Sequence, residues 1–514
     1  MTLAIPEKLN IAEEFIARPA AAHPRRLAIV SGAHEFTYAE VASAVDAAAD
    51  SLLAGGMAPR ERILIVLPDS LEFVAAFFGA AKIGAIAVPV NPAARRADYA
   101  HYIEDCAPRL AFVHESALSE FAPAATAHTT MSVRIIRDSE TSLWPSGLSA
   151  QTPATSAAES FAARAEDPAF ILYTSGSGGT PKGALHRHRD MLVTSESFAR
   201  GVLGIRAEDR CFSVSKLFFA YGLGNGMYFP FFAGASTVLY PLRPRPKEIA
   251  EVVALSRPTI FFSVPTFYAA LLRECEVGLA PDFSSVRHAV SAGEALPAEI
   301  FDRFRKRFGI EILDGIGSTE MLHMFLSSRP GQARAGSCGT PVPNYEAKIV
   351  DDAEADVSRG EIGNLWVRGA SAFAEYWGKP ELTVRTKRGD WVVTGDKFVC
   401  DDSGFYHYCG RADDMMKVSG MWVSPGEVEN TLLGHPAVAE AAVVSRIDSL
   451  GLVHPVAHIV LKADRAAAES LAEEIKKWLR AKLVSYKCPR QIEFLAELPK
   501  TATGKIQRFR LRDP

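Results

Sequence analysis

Short apolar runs alternate with amphipathic helical patterns along the first third of the chain. Residues 63–67 form one apolar run, and the helical pattern that follows has Ser70 at the position of an N-cap. Gly84 ends that helix, and residues 85–90 form the next apolar run. Strands that alternate with helices predict an α/β fold in which a mostly parallel sheet is covered on both faces. The apolar face of the helix would consist of Leu71, Val74, Phe77 and Phe78.

The pattern changes after about residue 400. Residues 401–404 are typical of a turn, and residues 471–479 predict a strongly amphipathic helix. The part of the chain after the turn therefore predicts a small α+β lobe that follows a large one. The apolar positions of the helix are Leu471, Ile475, Trp478 and Leu479.

Composition and charge narrow the function. Of 514 residues, 48% are hydrophobic and 23% are charged, which excludes disorder or a coiled coil as the main state. Lys and Arg number 56 against 60 Asp and Glu, so nothing predicts a surface dedicated to nucleic acid. The seven cysteines include no CxxC pair and are predicted to be free thiols in a reducing compartment, the cytoplasm. Glu7 and Lys8 interrupt the N-terminus, which argues against a secretory signal.

A stretch without charged residues lies between Lys216 and Arg243 and is long enough to cross a bilayer. Four glycines and two prolines interrupt it. This composition favours turns in a buried region over a membrane span. Such a segment can line an apolar cavity, and we expect no contact of the protein with a membrane.

A glycine-rich segment follows the apolar run at residues 170–173. Residues 174–183 are Thr-Ser-Gly-Ser-Gly-Gly-Thr-Pro-Lys-Gly. Glycines let backbone N–H groups approach an oxyanion, hydroxyl groups donate hydrogen bonds to it, and Lys182 adds a positive charge. The segment is not a Walker loop, because Gly183 follows the lysine where that loop has Ser or Thr. It predicts a phosphate-binding loop, against the alternative of a flexible linker.

This segment resembles the signature loop of the adenylate-forming superfamily, which includes acyl-CoA synthetases, adenylation domains and beetle luciferases. Every fixed position matches except Gly178, where the family usually has Thr and thus one more hydroxyl donor. The resemblance implies that the loop binds the phosphates of ATP. The residues implied are Thr174, Ser175, Gly176, Ser177, Gly179, Thr180 and Lys182.

Further motifs of the superfamily follow in the family's order. Residues 291–297 resemble the segment beside the adenine, although alone they are equally typical of a helix start. Residues 314–320 resemble the next motif, in which Thr319 would contact the α-phosphate and Glu320 would hold Mg²⁺. The other residues implied for ATP binding here are Gly293, Glu294, Asp314 and Ile316.

Three later motifs complete the resemblance: a ribose motif, a hinge motif and a C-terminal motif. Residues 394–396 resemble the ribose motif, so Asp396 and Arg411 would contact the ribose. Asp413 would be the pivot of a hinge. Gly420 would line the tunnel for the pantetheine of CoA, and Lys505 would be the catalytic lysine of the C-terminal motif.

The resemblance also implies a division of the chain. Residues 1–411 would bind ATP and the acyl group, and residues 412–514 would form a mobile domain that carries the lysine. The implied fold is a large N-terminal lobe of stacked βαβ sheets with a β-barrel-like part, followed by a small α+β C-terminal lobe.

Residues 216–226 place aromatic side chains beside glycines, a pattern that suits either a narrow slot or ordinary core packing. Together with residues 321–324, the segment resembles benzoate–CoA ligases. In that family the ring lies between the two segments, with the histidine near its edge. Met324 stands where the family often has a branched aliphatic residue. The substrate-binding residues implied are Ala220, Tyr221, Gly222, Gly315, Gly317 and His323.

The resemblance thus implies an acid–thiol ligase that uses ATP, Mg²⁺ and coenzyme A. Benzoate, or a benzoate with an amino or hydroxyl group such as 2-aminobenzoate, would become an acyl-adenylate with release of pyrophosphate. The thiol of CoA would then displace AMP. The alternatives left open are a medium-chain acyl-CoA ligase, an adenylation enzyme that loads a carrier protein, and a nucleotide sensor without activity. A homodimer is also left open.

Overall fold

The computed structural model describes residues 3–126, 128, 131–137, 159–175, 180–418, 421–447, 452–462, 465–500 and 506–512. Two large sheets with helices between and around them make up most of the chain. An antiparallel sheet follows, and a smaller α+β body begins at residue 416.

The first sheet contains the apolar runs predicted near the N-terminus, and its central strands are parallel. Ile63 and Ile65 face one apolar core while Leu64 and Val66 face another. This confirms the prediction of a sheet covered on both faces. In spatial order its strands are Glu375–Tyr376, Pro181–Arg187, Pro168–Ser175, Ile86–Pro89, Arg62–Val66, Leu110–His114 and Ser132–Ile136.

The second sheet is parallel at its centre and antiparallel at both edges. Two neighbouring parallel strands pair Ser291 with Asp314 at their carboxyl ends. Loops from both strands therefore leave the same edge of the sheet. In spatial order the strands are Thr340–Pro341, Met324–Ser327, Ile312–Gly317, His288–Ser291, Ile260–Ser263, Arg210–Ser213, Ser236–Leu239, Leu27–Ser31 and His34–Thr37.

Helices Tyr38–Ala54 and Leu71–Lys82 pack against each other, the first on the second sheet and the other on the first sheet. The Ser70 side chain accepts a hydrogen bond from Phe73 N at 3.3 Å, as predicted for the N-cap. The other α-helices are Arg18–Ala22, Arg96–Cys106, Leu118–Ala125, His188–Thr194, Ala220–Leu223, Phe229–Ala233, Pro246–Ser256, Pro265–Glu276, Ala298–Phe308, Pro380–Thr386, Pro425–Leu433, Glu469–Arg480 and Phe509–Arg512. Short π-helical turns span Glu13–Ala17, Ser195–Arg200 and Gly224–Tyr228, and 3₁₀ turns span Glu115–Ala117, Thr319–Met321 and Ser485–Lys487.

The uncharged stretch after Lys216 is helical over residues 220–233, where its glycines had favoured turns. Gly222, Leu223 and residues 224–231 are buried, so packing outweighs the low helix propensity of glycine. No helix in the described ranges is long and apolar enough to cross a membrane.

The antiparallel sheet that follows forms a half-barrel, the β-barrel-like part that was expected. Its strands are Tyr345–Val350, Gly363–Gly369, Lys387–Arg388, Trp391–Cys400 and Tyr406–Arg411.

The last part of the chain is a small α+β body, as its pattern predicted. The amphipathic helix Glu469–Arg480 buries Ile475 and Leu479 against the strands. Among the described residues, the apolar clusters of this body share no member with those of the larger lobe. Its strands are Met416–Val418, Met421–Val423, Val438–Ile447, Val453–Leu461 and Gln491–Phe494. All seven cysteines of the chain are free thiols.

Candidate active site

The glycine-rich segment joins two antiparallel strands, Pro168–Ser175 and Pro181–Arg187. Thr174 pairs with Lys182 across this hairpin, and Thr180 is exposed just before the second strand. The hairpin therefore places the base of the predicted phosphate loop beside Lys182. The tip lies outside the described residues, and with it the predicted Gly176, Ser177 and Gly179, and Gly178.

One hydroxyl group joins the side chains of Lys182 and Glu320. Lys182 Nζ donates to Tyr376 Oη at 3.1 Å and lies 4.4 Å from the centre of that ring. Tyr376 Oη donates in turn to Glu320 Oε1. Burial, and then the Glu320 carboxylate, raise the pKa of Tyr376, so its hydroxyl stays a donor. Burial also lowers the pKa of Lys182, an effect that Glu320 opposes.

Tyr376 is a residue that the sequence analysis missed. It lies 194 residues from Lys182 and 56 from Glu320, in a Glu-Tyr-Trp context that carries no chemical signal by itself. From the sequence alone, a tyrosine in a short edge strand cannot be distinguished from an ordinary residue of the hydrophobic core.

The turn Thr319–Met321 is held from outside at each of its backbone carbonyls. His186 Nε2 donates to the Thr319 carbonyl at 2.8 Å. Phe373 N donates to the Glu320 carbonyl at 2.7 Å, and Ser371 Oγ donates to the Met321 carbonyl at 2.8 Å. The turn that carries the predicted metal ligand is therefore anchored to two other parts of the first lobe.

Asp396 and Arg411, the two residues implied for the ribose, contact each other. Arg411 Nη1 lies 3.2 Å from Asp396 Oδ1 and donates to the Thr394 carbonyl at 3.0 Å. Gly395, between Thr394 and Asp396, has a φ of 75°, a conformation that suits glycine in this tight turn. Besides burial, the charge of Arg411 lowers the pKa of Lys182, so the two residues implied for the ribose lie in the same region as the lysine implied for the phosphates.

The residues implied for the adenine divide into two groups. Ile316 and Glu294 are half-buried, and Gly293 is exposed just after the strand His288–Ser291. Asp314 instead is only 5% exposed, and burial raises the pKa of its carboxyl group well above its usual range. The first three are accessible to a ligand at the sheet edge, whereas Asp314 is a buried polar group beneath it.

His323 lies at the centre of a cluster of aromatic side chains. Its ring centroid is 5.5 Å from that of Tyr221, 5.1 Å from that of Phe198 and 4.6 Å from that of Phe229. Burial lowers the pKa of His323 to about 3, so the ring is neutral at neutral pH. Its Nε2 therefore donates to Asn225 Oδ1 at 3.1 Å. Asn225 is four residues from Tyr221, one helical turn on, a signal that the sequence analysis did not use.

Gly222 lets the helix that begins at Ala220 pack closely against the backbone of Lys216. A Cβ at Gly222 would lie 2.1 Å from the Lys216 carbonyl, which excludes any side chain there. Lys216 lies 3.5 Å from the buried Asp69, which also accepts a hydrogen bond from Leu217 N at 2.9 Å. This buried ion pair holds in place the segment that precedes the helix with Ala220 and Tyr221.

Met324 and Gly315 are in contact on adjacent antiparallel strands. A Cβ at Gly315 would lie 2.3 Å from Met324 Cε, so the methionine fills the space that glycine leaves. Gly317 is similarly close to the His323 carbonyl, 2.5 Å from where its Cβ would be. The structure thus brings both glycines and His323 together with the segment around Tyr221.

The hinge and the C-terminal motif are described in part. Arg411 Nε lies 3.6 Å from Asp413 Oδ1, and the Asp413 carbonyl accepts a hydrogen bond from Arg512 at 3.0 Å. Lys500 forms an antiparallel bridge with Ile506 on either side of the C-terminal motif. The predicted Gly420 and Lys505 lie outside the described residues.

The donor set fits Mg²⁺ bound together with phosphates. Among the described residues, no group of three or more His, Cys, Asp or Glu side chains could hold a metal by itself. Glu320 supplies one carboxylate at the phosphate-binding region. Mg²⁺ is commonly held by one or two carboxylates with substrate phosphates and water, so this site would hold it only with a nucleotide.

The sequence and the structure are both similar to characterised proteins. The profile of the AMP-binding enzyme family matches residues 16–377, and that of the AMP-binding enzyme C-terminal domain matches residues 427–505. A benzoate–CoA ligase of Thauera aromatica is 42% identical over 99% of this chain and 96% of its own length. A benzoate CoA ligase from Burkholderia xenovorans LB400 has a TM-score of 0.89 at 39% identity, over 98% of this chain and all of that one. The anthranilate CoA ligase AuaEII, solved with anthranoyl-AMP, has a TM-score of 0.91 at 38% identity, over 99% and 97% of the two chains.

Proposed function

The chain belongs to the AMP-binding enzyme family, and from this premise we propose that it is an ATP-dependent aryl-CoA ligase. It activates an aromatic acid as an acyl-adenylate and transfers the acyl group to coenzyme A, with release of AMP and pyrophosphate. ATP, Mg²⁺ and coenzyme A are its cosubstrates and metal. One observation carries the proposal: a cation and a carboxylate suited to MgATP lie in the same lobe as a cluster of aromatic side chains around a neutral histidine.

The first half-reaction depends on charge and position. A carboxylate is a poor electrophile, and attack of its oxygen on the α-phosphorus of ATP supplies AMP as a leaving group. Lys182 faces the negative phosphates, and Thr319 and Glu320 are on the turn beside it. Glu320 would hold Mg²⁺ together with the phosphates, and the metal would supply neutralisation of the phosphate charge. The residues of the chain therefore act by positioning and by electrostatic stabilisation.

The second half-reaction depends on the C-terminal body. We propose residues 1–411 as the ATP- and acyl-binding domain and residues 412–514 as a mobile domain that carries Lys505 and lines the CoA tunnel at Gly420. Separate apolar cores on the two sides support this division. Asp413 would be the pivot, held to the larger lobe through Arg411.

The ring of the substrate is proposed to lie against Gly315, Gly317 and Tyr221, near His323. Benzoate, or a benzoate with an amino or hydroxyl group such as 2-aminobenzoate, fits a slot of this kind. The buried hydroxyl of Tyr221 and amide nitrogen of Asn225 lie close to each other, but neither forms a hydrogen bond of good geometry among the described residues. Such groups favour a substrate with a polar substituent, because an amino or hydroxyl group on the ring can form a hydrogen bond with either of them.

A panel of carboxylic acids with ATP, Mg²⁺ and CoA tests the function, with AMP and thioester measured together. We expect equal amounts of both products with benzoate or a substituted benzoate. Thioester from hexanoate or octanoate in preference to every benzoate would show a medium-chain ligase instead. Pyrophosphate release without thioester would show an enzyme that loads a carrier protein, and no acid-dependent pyrophosphate release would show a nucleotide sensor.

We also propose that the enzyme acts in the cytoplasm and that two copies associate as a homodimer. Cell fractionation and light scattering of the purified protein test these two proposals.

A further inference from the structure

Two side chains link the strand Pro181–Arg187 to the turn Thr319–Met321, one directly and the other through the hydroxyl of Tyr376. Lys182 and His186 are four residues apart, and side chains at that spacing project from the same face of a strand. Lys182 reaches Glu320 through a tyrosine hydroxyl, and His186 donates to the Thr319 carbonyl at 2.8 Å. One strand therefore holds both the proposed phosphate lysine and the backbone beside the proposed metal ligand.

His186 is held on every side. His186 and Asp190 have no exposed surface, and Asp190 Oδ2 lies 3.0 Å from His186 Nδ1. The Thr319 carbonyl can only accept a hydrogen bond, so His186 Nε2 donates to it, while the Asp190 carboxyl group faces the other ring nitrogen. Phe170 stacks on the ring with centroids 5.2 Å apart and an interplanar angle of 18°. The ring thus has a single orientation, with Nε2 aimed at the Thr319 carbonyl.

Asp190 is held in place by Arg187, the residue that follows His186 in the strand. Arg187 N donates to Asp190 Oδ2 at 3.0 Å, and the Arg187 guanidinium lies 3.3 Å from Asp190 Oδ1. Both the backbone N–H and the guanidinium of Arg187 therefore face one buried carboxyl group. A buried ion pair is weak evidence for stability, because apolar residues of similar volume often stabilise a core equally well. The ion pair of Arg187 and Asp190 instead holds the His186 ring in the orientation in which Nε2 donates to the Thr319 carbonyl.

His188, two residues further on, provides a comparison. It is 1% exposed, and burial lowers its pKa to about 4. Its Nδ1 accepts a hydrogen bond from Ile11 N at 3.2 Å, and Ile11 is not part of the turn at residues 319–321. His188 is thus a neutral core histidine of the same strand-to-helix junction, and it makes none of the contacts of His186.

We propose that His186, oriented by Asp190, is a positioning residue for MgATP. It fixes the backbone of Thr319, and through it the carboxylate of Glu320, at a set separation from Lys182 on its own strand. The Glu320 carboxylate and the Lys182 ammonium group can then contact the same nucleotide without rearrangement. Such preorganisation lowers the free-energy cost of binding. The proposal rests on the proposed function, although binding of MgATP alone can test it.

Calorimetry of ATP binding, with Mg²⁺ and with EDTA, gives a test that needs no turnover. In the wild type, Mg²⁺ should strengthen ATP binding. We expect His186→Leu to weaken binding of MgATP about tenfold, since the Thr319 carbonyl then keeps only the hydrogen bond from Leu322 N and the turn relaxes. Binding of ATP in EDTA should change less than about threefold. His186→Gln, which keeps one N–H donor, should lie between the two, and His188→Gln should match the wild type.

The two half-reactions give a second readout. His186→Leu should lower the rate of adenylate formation about tenfold or more, and leave thioester formation from a supplied acyl-adenylate within about threefold. If His186→Leu does not fold, His186→Gln and Asp190→Asn carry the same comparison.

Three results would overturn the proposal: an equal loss in both half-reactions, an unchanged effect of Mg²⁺ on ATP binding, or the same defect in His188→Gln. A wild-type protein that binds MgATP and activates no acid would instead contradict the proposed function, and the binding comparison would still decide the role of His186.

Discussion

The hydroxyl of Tyr376 donates a hydrogen bond to the carboxylate of Glu320. The same hydroxyl accepts one from Lys182, whose ammonium group also lies over the tyrosine ring. A cation and an anion suited to the two parts of MgATP are thus held at a defined separation by one neutral group. Because burial keeps that group protonated, the bridge does not depend on pH in the neutral range.

Replacement of the bridging hydroxyl should weaken the use of MgATP. In Tyr376→Phe the ring under Lys182 remains, and only the link to Glu320 is lost. Hydrogen bonds to charged groups are worth about 1.5–3 kcal/mol, so we expect the apparent KM for MgATP in adenylate formation to rise about tenfold or more. Steady-state pyrophosphate release measures it. An unchanged or lower KM would show that the hydroxyl has no role in preparing the site.

Lys505 should serve adenylation and not thioester formation. One positive charge about 4 Å from a phosphate is worth up to ~4 kcal/mol at an effective dielectric near 20, which is about a thousandfold in rate. We expect Lys505→Ala to lose most adenylate formation and to keep thioester formation from a supplied acyl-adenylate. Lys500→Ala is the matched control, since Lys500 forms an ion pair with Glu440 at 2.6 Å near the protein surface. Equal damage to both steps by Lys505→Ala would refute the assignment.

Met324 should limit the size of the ring substituent. Its terminal methyl group lies where a side chain at Gly315 would be, beside the proposed ring site. Removal of a few methylene-sized groups from an apolar pocket changes discrimination by about 1–3 kcal/mol. We therefore expect Met324→Ala to raise kcat/KM for a bulkier benzoate relative to benzoate by about tenfold. Leu255→Ala, at a position 85% exposed, should leave this ratio unchanged. An unchanged ratio in Met324→Ala would place the substituent elsewhere.

The free energy of unfolding should fall in mild acid partly because of His323. Its pKa is about 3 in the folded protein, against an unperturbed value near 6.5 in the unfolded chain. Between these values the unfolded state binds a proton that the folded state does not, so stability is lost as pH falls below about 6.5. From pH 7.5 to pH 5 this amounts to about 2 kcal/mol for one such group.

Urea unfolding at pH 7.5 and pH 5 measures this loss. His323→Gln should remove that part of the difference between the two pH values while it lowers stability at both. The assignment fails if the variant shows the same pH dependence as the parent.

Local chemistry in the sequence determined the elements and the motif residues. Apolar runs become strands and an N-cap serine begins a helix, because hydrophobic periodicity and capping act within a few residues. The candidate phosphate loop was predicted from its own residue types, whereas the roles of Glu320, Asp396 and Arg411 were predicted from the resemblance of their segments to family motifs. The amphipathic helix Glu469–Arg480 is likewise a local pattern.

Only the tertiary structure decided which of these segments meet. Tyr376 reaches Lys182 across 194 residues, His186 reaches Thr319 across 133, and His323 reaches Asn225 across 98. No local propensity sets such pairings, because they follow from how two sheets and their helices pack. The same reason explains residues 220–233, whose glycines favour turns in isolation, while burial among aromatic neighbours makes them a helix.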